Sequence, residues 1–462
     1  MNQSAPSNSA PVLGHPDTER LSGYAHRLVD MALKAGADSA EAAINESRSV
    51  EAGVREGALE SMERSESLDA GVRVLIGKKQ AGVAFSDLSE AGQTLAIERA
   101  IAMAKAAPED PYCGLVASEH LATHMPDIKT YEAASLTESD LESAALEMEA
   151  SALAIDGVVT TSGCGASIGV SGSAFVTSTG FERARIGSSC SMGVAAVAKD
   201  NDGAMERDYD GHSARRVSDL KTAQYLGNSA GERAVSRLGS EKLESGKMNV
   251  VFHKRLSTTF LSSLTGAIAG PSIARGTSFL RDKLGERIFS ETINIIEDPL
   301  RDWSFGARSA DGEGVACKPR ALIEDGVLTS WLLNSASARQ LELDLTGHAS
   351  RNLGGPPGVT TSNLHMEAGP LDFEELLAEA KDGLLITEMF GPSLNANTGD
   401  WSVGVSGYRI SGGKTAGPVS EVTVAGNMID MFARLIPGSD LDFEHAVNAP
   451  SILIEDLAVG GR

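Results

Sequence analysis

Residues 250–258 read VVFHKRLST, a short apolar run followed by residues typical of the start of a helix. The pattern predicts a buried strand that leads directly into a helix, with His253 at the junction. The segment before it, residues 239–247 (GSEKLESGK), is polar and bracketed by glycines, as expected of a connection between domains. The stretch therefore predicts that a C-terminal domain begins near residue 247 with this strand and helix.

His253 allows two interpretations from the residues alone. A helix that binds zinc in a peptidase presents a second histidine on the same face, and a glutamate beside the first histidine takes a proton from the metal-bound water. Lys254 and Thr258 occupy the positions where the glutamate and the second histidine are required. Because a cation beside the ligand repels a metal ion, the stretch is either a degenerate metal site or an ordinary histidine at a helix start.

The composition limits the classes of protein to which the chain can belong. Its 462 residues exceed the usual size of one hydrophobic core and predict two or three domains. The formal net charge of −23 gives a field that repels phosphate backbones, so we expect no direct nucleic-acid partner. Since no run of about 18 apolar residues occurs, we also expect no membrane-spanning segment.

The N-terminal sequence and the cysteines indicate a cellular compartment. Residues 1–16 lack the basic start and apolar middle of a secretory signal and are predicted to form a disordered tail. The cysteines lie far apart in the sequence and form no CxxC pair, which indicates neither a disulfide framework nor a cysteine zinc site. A reducing, cytoplasmic location is therefore expected. The cysteines are Cys113, Cys164, Cys190 and Cys317.

Residues 17–125 are predicted to form an N-terminal α+β domain. Apolar residues recur at helical spacing after Asp17, and Gly36 follows as a stop signal. Strand patterns come next, with a hairpin loop at residues 77–80 (GKKQ). A second helix over residues 90–107 ends at Pro108.

Two further segments complete the predicted organisation. Residues 126–240 form a central strand-rich region with flanking helices, and residues 247–462 form a β-rich domain. In the latter, Asp325-Gly326 between apolar runs is a strong hairpin signal. The predicted fold class is α+β, with antiparallel strands and packing helices in the N-terminal region and a barrel-like C-terminal domain with few helices.

Two stretches match the GxSxG pattern of serine hydrolases, with Ser167 and Ser229 at their centres. The nucleophile of such an enzyme follows a strand and precedes a helix. More strand is predicted after Ser167, and helix is predicted before Ser229. Neither serine is therefore expected to act as a nucleophile.

Other candidate sites are equally weak. His120 and His124 are four residues apart, but no acidic third ligand accompanies them and Pro126 predicts a loop, so they are expected to be surface histidines. Gly163-Cys164-Gly165 lies in a strand-rich stretch without the following helix that binds a phosphate. Nucleotide binding is not expected there.

Several blocks in the C-terminal half resemble the TldD/PmbA family. They are residues 387–391 (TEMFG), 397–404 (NTGDWSVG) and 417–427 (GPVSEVTVAGN), and their order and spacing are specific. Residues 71–74 (GVRV) and 85–88 (FSDL) extend the resemblance upstream. The resemblance covers nearly the whole chain after the first 20 residues.

The resemblance implies a role for the region around His253. In this family the TldD-type subunit carries HExxxH on a helix and a C-terminal cysteine, and it holds zinc, whereas the PmbA (TldE) type is its paralogous partner and lacks these groups. His253 falls on the first histidine, Lys254 on the glutamate and Thr258 on the second histidine, and no cysteine follows Cys317. The chain thus resembles the PmbA type, which implies no catalytic residue, no metal ligand and no cofactor in this chain.

The expected function is that of a non-catalytic subunit of a cytoplasmic zinc metalloprotease for unfolded or small peptides. A TldD-like partner in a heterodimer would supply the zinc and the general base, and sheet edges near residues 401–410 would hold an extended peptide. The family's description as a modulator of DNA gyrase finds no support in the acidic composition. Two alternatives stay open: a self-sufficient metallopeptidase that uses His253 and His445, and a homodimeric binding or assembly protein without a peptidase role.

Overall fold

The computed structural model describes residues 13–462, and within them it contains nine α-helices and nineteen strands. The helices are α1 (Thr18–Lys34), α2 (Glu90–Ala106), α3 (Glu138–Leu153), α4 (Ala223–Ser236), α5 (Lys254–Ala267), α6 (Gly270–Ala274), α7 (Ser335–Leu341), α8 (Phe373–Ala380) and α9 (Met428–Arg434). The first ten strands are β1 (Ser39–Arg55), β2 (Ala58–Ile76), β3 (Lys79–Phe85), β4 (Val158–Thr177), β5 (Glu182–Lys199), β6 (Met205–Ala214), β7 (Gly246–Phe252), β8 (Ile295–Glu297), β9 (Arg320–Glu324) and β10 (Val327–Leu328). The remaining strands are β11 (Ala349–Ser350), β12 (Gly358–Val359), β13 (Leu364–Met366), β14 (Gly383–Leu394), β15 (Asp400–Ser411), β16 (Lys414–Asn427), β17 (Ile436–Pro437), β18 (Val447–Asn448) and β19 (Ile452–Gly460).

One six-stranded antiparallel sheet spans the first half of the chain, in the order β3-β2-β1-β4-β5-β6. Its centre is the long pairing of β1 with β4, in register from Glu41 opposite Thr177 to Gly53 opposite Gly165. The boundary predicted at residues 125/126 falls between β3 and β4. The segments 17–125 and 126–240 therefore contribute strands to a single sheet.

Helices α1 to α4 pack on one face of this sheet because alternate strand residues are apolar. On β1, Ala40, Ala42 and Ile44 contribute to the core beneath α1 and α2, whereas Val50 and Val54 contribute to the core beneath α3 and α4. The predicted helix start at Asp17 is confirmed, since its side chain accepts a hydrogen bond from the Arg20 amide at 3.0 Å. Local sequence signals thus position all four helices.

The predicted N-terminal tail falls largely outside the described residues, which begin at Leu13. Leu13 is buried in the core formed with α3 and α4, and Pro16 is also buried. The chain is therefore packed against the domain from Leu13 onwards.

The other face of the sheet contacts the C-terminal half through a buried ion cluster. Glu41 on β1 is 1% exposed and forms ion pairs with Arg73 of β2 and with Arg351. Burial opposes ionisation of Glu41, but the charges of Arg351 and Arg73 lower its pKa overall. Beside this cluster, the backbone of residues 353–354 packs directly against Gly71 and Gly82.

The C-terminal half contains a closed barrel, as the sequence predicted. Its sheet has the order β16-β15-β14-β7-β19-β17, and an additional pairing of β16 with β19 closes five of these strands into a ring. Strand β7 pairs in parallel with β14 and antiparallel with β19. Val250 and Phe252 join the large core inside the barrel, whereas Val251 packs in a smaller core with α8. This burial on both sides explains the continuous apolar run before His253.

The predicted hairpin at Asp325-Gly326 is confirmed. It joins β9 to β10, with φ angles of 48° and 78°, the left-handed conformation that a two-residue turn of this type requires. The smaller sheet that contains this hairpin has the order β10-β9-β8-β13-β18.

One prediction about the barrel is wrong. Residues 401–410 belong to β15, which is paired with β14 on one side and with β16 on the other, so they offer no free edge to an extended peptide. The main-chain groups on both sides of β15 are used by these neighbours, whereas the barrel is closed elsewhere, by β16 and β19. The edges of the N-terminal sheet are β3 and β6. No helix in residues 13–462 is long and apolar enough to cross a membrane.

We expect Gly71→Ala to destabilise the contact between the two halves of the chain. A Cβ atom on Gly71 would lie 1.9 Å from the carbonyl oxygen of Leu353, and main chain cannot move aside as a flexible side chain would. Overpacking of this kind costs about 1–3 kcal/mol, so the Tm measured by circular dichroism should fall.

Gly23→Ala is the matched control, because no atom lies within 4 Å of its added Cβ and the residue is inside α1. Alanine is favoured over glycine in a helix by about 0.5–1 kcal/mol, so this variant should melt at or above the wild-type temperature. An unchanged Tm for Gly71→Ala would contradict the close packing described here.

Candidate functional site at the start of helix α5

His253 lies between β7 and α5, as predicted, and caps the helix. Its main-chain N–H donates to the carbonyl oxygen of Ile386 on β14 at 3.1 Å, which extends the barrel pairing by one residue. Its Nδ1 atom accepts a hydrogen bond from the Arg255 amide at 3.3 Å. The edge of the imidazole meets the ring of Phe373, with 5.8 Å between ring centroids. The imidazole is thus held by the start of α5 and by α8.

The surroundings of His253 disfavour its protonation. Burial lowers its pKa to about 4, and the positive charges of Arg255 and Arg233 act in the same direction. The ring is therefore neutral at neutral pH, which is consistent with Nδ1 acting as a hydrogen-bond acceptor.

Lys254 points its charge at a carboxylate of a distant loop. Its Nζ forms an ion pair with Asp442, in the loop between β17 and β18. Its main-chain N–H donates to Ser451 Oγ at 3.0 Å, and that hydroxyl donates to Asp440 Oδ2 at 2.8 Å. Lys254 therefore joins the first turn of α5 to the C-terminal loop and stands where a proton acceptor would be needed.

Arg255 links the same turn to the N-terminal sheet. Its Nη2 lies 3.0 Å from Oδ1 of Asp208 on β6, and its guanidinium stacks over the ring of Tyr209. Asp208 is 4% exposed and also pairs with Arg237, which in turn pairs with Glu388 of β14. This buried network fixes the edge strand β6 against the barrel.

A cleft of about 430 Å³ opens over these residues. It is lined by His253, Lys254 and Thr258 from α5, by His445 from the β17–β18 loop, and by residues of β6. The structure thus brings together His253 and His445, which the sequence places almost two hundred residues apart. No group of three or more His, Cys, Asp or Glu side chains in the described part of the chain is arranged to hold a metal ion.

Three family models match consecutive parts of the chain. They describe PmbA/TldA metallopeptidase domain 1 (residues 40–107), the central domain (residues 131–238) and the C-terminal domain (residues 245–461). Metalloprotease PmbA of Escherichia coli O157:H7 is 32% identical over 427 residues, which cover 92% of this chain and 93% of that protein. The chain belongs to the PmbA/TldA metallopeptidase family.

Solved structures have the same architecture. A protein of Bacteroides thetaiotaomicron VPI-5482 described as a modulator of DNA gyrase superposes with a TM-score of 0.89 and 25% identity, covering 96% of this chain and 100% of that one. TldE from Thermococcus kodakarensis gives a TM-score of 0.83 over 94% of this chain and 99% of its own, and at 19% identity this likeness shows the fold alone. The resemblance to the TldD/PmbA family seen in the sequence is confirmed.

The residues of this PmbA/TldA-family chain do not fit a zinc ion at His253. One imidazole nitrogen is engaged with the Arg255 amide, and the flanking side chains Lys254 and Arg255 bring two positive charges. Thr258 lines the cleft with a hydroxyl at the position where the sequence resemblance implies an imidazole in TldD-type chains. A metal ion at His253 would meet one free imidazole nitrogen beside two cationic side chains, and although His445 lines the same cleft, no set of three His, Cys, Asp or Glu ligands is formed among the described residues.

The serine motifs lie in the contexts that the sequence predicted. Ser167 is inside β4, where its hydroxyl hydrogen-bonds to that of Ser191 at 2.8 Å. Ser229 is inside α4. Neither lies on the strand–turn–helix element that exposes a hydrolase nucleophile.

The remaining candidates are also structural or exposed. His120 ends a single 3₁₀ turn and His124 follows in an irregular segment, and both are exposed. Cys164 lies in β4 and its thiol donates to the carbonyl oxygen of Ala145 at 3.2 Å. It is one of four free, buried cysteines; the others are Cys113, Cys190 and Cys317.

Sequence reasoning missed the groups that surround His253. No motif includes Asp208, Arg237 or Asp442. Their ion pairs form only in the folded chain: Asp208 of β6 pairs with Arg255 of α5 and with Arg237 at the end of α4, and Asp442 of the β17–β18 loop pairs with Lys254 of α5. Only the Glu388 block was noticed, as part of the family resemblance. A buried acidic residue in an otherwise alternating strand, such as Asp208, is the one signal available in the sequence.

The stability of the chain should depend on pH through His253. The unfolded chain binds a proton on this histidine below about pH 6.5, whereas the folded chain binds it only below about pH 4. The folded state is therefore most favoured above pH 6.5 and loses stability as the pH falls from 6.5 to 4. The free energy of unfolding should therefore fall by up to about 1.4 kcal/mol per pH unit from this residue. Urea denaturation of wild type between pH 7 and pH 4 measures the effect.

His253→Asn provides the reference, because asparagine keeps an acceptor for capping α5 but does not titrate. The difference between wild type and variant should grow in favour of the variant as the pH falls from 6.5 to 4. If the free energies of unfolding of wild type and variant changed in parallel between pH 6.5 and pH 4, the histidine would not be held neutral in the folded chain.

Proposed function

We propose that this chain is the PmbA/TldE-type, non-catalytic subunit of a cytoplasmic zinc metalloprotease. A TldD-like paralogue would pair with it and supply the zinc ion and the general base. The substrates would be unfolded or small peptides, and this subunit would complete the chamber that receives them.

The observation that carries the proposal is the charge of the first turn of α5. Lys254 is an ammonium group paired with Asp442 and cannot accept a proton from water, and Arg255 is committed to Asp208. The fold of a metallopeptidase family is therefore combined with a turn that has neither a base nor a second imidazole. A chain of this kind gains a role in proteolysis from a second subunit.

The surface beside the cleft supports a peptide chamber. A groove of about 560 Å³ runs over β4, β5 and β6 on the face opposite the packed helices. Gly165, Ser167 and Gly193 line it with few or no side-chain atoms, and Gly211 and His445 also line the cleft at His253. A surface of this kind gives an extended peptide room and makes few demands on its side chains, while main-chain pairing is open only along the edge strand β6, since β4 and β5 are paired on both sides.

Charge and cysteine chemistry support the rest of the proposal. A net charge of −23 opposes contact with nucleic acid, so the gyrase-modulator description of a structural relative is not carried over. The four buried free cysteines are compatible with the reducing conditions of the cytoplasm.

One observation favours the rival in which this chain is itself a metallopeptidase. His253 and His445 line the same cleft, and Asp442 and Glu444 precede His445 in the loop and line the cleft with it. Both carboxylates are engaged, however: Asp442 pairs with Lys254, and Glu444 lies 2.6 Å from Lys221 Nζ. A homodimeric binding protein is the other rival, and it requires no TldD-like chain at all.

We expect the purified chain alone to contain no stoichiometric zinc and to leave unfolded peptides uncut. When co-purified with a TldD-like chain it should contain zinc and cleave peptides, and a chelator should abolish that cleavage. His253→Asn in this chain should change the activity of the pair by no more than about twofold, because it touches no reacting group. Metal analysis and cleavage of a fluorogenic peptide measure these outcomes.

The rivals predict different results in the same assays. Zinc at full occupancy with cleavage by the lone chain, lost in His253→Asn, would identify a self-sufficient peptidase. Failure to capture a TldD-like chain from the native cell, together with a stable homodimer, would support the binding protein.

A further inference from the structure

A second cavity lies between β5, residues 125–131 and residues 307–309, and it shares no lining residue with the cleft at His253. Its volume is about 600 Å³, within the range of about 300–1,000 Å³ that is usual for small-molecule sites. Arg183, Arg185 and Arg308 line it together. Three guanidinium groups on one cavity are unexpected in a chain with a net charge of −23.

These arginines have no carboxylate partner within salt-bridge distance in residues 13–462. Arg183 donates to the main-chain carbonyl oxygens of Ala310 and Asp311. Arg308 donates to the carbonyl oxygen of Thr360 at 2.7 Å, and its buried Nε has no hydrogen-bond partner among the described residues. Arg185 makes no hydrogen bond or ion pair within that part of the chain.

The nearby carboxylates offset the charge of the cluster only in part, since the charge of Asp311 raises the pKa of Arg183 against the effect of burial. Asp311 uses its side chain to accept hydrogen bonds from the amides of Glu313, Val315 and Ala349, at 2.9–3.0 Å. Asp127 and Lys129 on the lining add one charge of each sign. The cavity therefore carries a net positive charge.

The arginines also act on one another. Burial lowers the pKa of Arg183 to about 10, and the charge of Arg185 adds to this effect. Desolvation and the charge of Arg308 lower the pKa of Arg185 as well, although Arg185 keeps an exposed surface at the cavity. The three guanidinium groups therefore lie close together on one cavity, and their mutual repulsion costs stability.

We propose that this cavity binds the oxyanion of a small organic ligand, a carboxylate or phosphoryl group held by Arg183, Arg185 and Arg308. The planar guanidinium presents paired N–H donors that match such oxyanions. Ile128, Tyr131 and Ile186 supply an apolar wall for the rest of the ligand. The proposal goes beyond the peptidase role and does not depend on a partner subunit.

Thermal denaturation of the full chain in phosphate-free HEPES buffer tests the site. The probes are inorganic phosphate and N-acetylphenylalanine, with N-acetylphenylalanine amide as the uncharged control. Either oxyanion should raise the Tm, whereas the amide should not. A response to one oxyanion alone identifies which of the two groups the ligand carries.

Arg185→Gln is the decisive variant, because it removes one charge without breaking a contact. We expect its Tm without added anion to equal or exceed that of wild type, and its affinity for the stabilising oxyanion by calorimetry to fall at least tenfold. Arg99→Gln on the exposed face of α2 makes the same charge change away from the cavity and should behave as wild type.

Three results would overturn the proposal. One is the absence of stabilisation by both oxyanions. The second is an equal response in wild type and Arg185→Gln, which would reflect general screening of charge. The third is a lower Tm of Arg185→Gln in anion-free buffer, which would show that Arg185 supports the fold instead of serving a ligand.

Discussion

The ion cluster of Glu41 with Arg73 and Arg351 is the interaction on which the arrangement of the two halves depends. It removes a carboxylate and two guanidinium groups from water, and such an arrangement is tolerated only when each charge meets its partner. Glu41 and Arg73 come from neighbouring strands of the sheet, and Arg351 comes from the C-terminal half. A small shift between the halves would leave a buried charge without its partner. The cluster therefore sets the relative position of the halves, and this position determines the walls of both cavities.

The cleft at His253 lies on a strand–histidine–helix element of a metallopeptidase-family fold. The strand, the capping histidine and the helix are all present. The groups around them, however, serve to tie α5 to β6 and to the C-terminal loop, through Asp208 and Asp442. Lys254 and Arg255, whose charges would repel a metal ion, form the ion pairs that connect α5 to the C-terminal loop and to β6.

The sequence predicted those features that depend on neighbouring residues. The cap at Asp17, the turn at Asp325-Gly326 and the apolar strand before His253 all follow from local patterns, and the barrel followed from many short strands without a regular period. Pairing partners do not follow from such patterns, which is why β15 was mistaken for an edge. The arginine cavity was invisible for the same reason, since Arg183 and Arg308 meet only through tertiary structure.

The pairing of β1 with β4 bears on how this family can be divided. Two of its family modules, residues 40–107 and 131–238, are joined along thirteen consecutive residue pairs. Separating them would expose a long row of unpaired amides and carbonyls on each piece, the kind of edge that leads strands to aggregate. The two modules are therefore expected to fold as one unit, and a chain cut between them should not give two separately stable pieces.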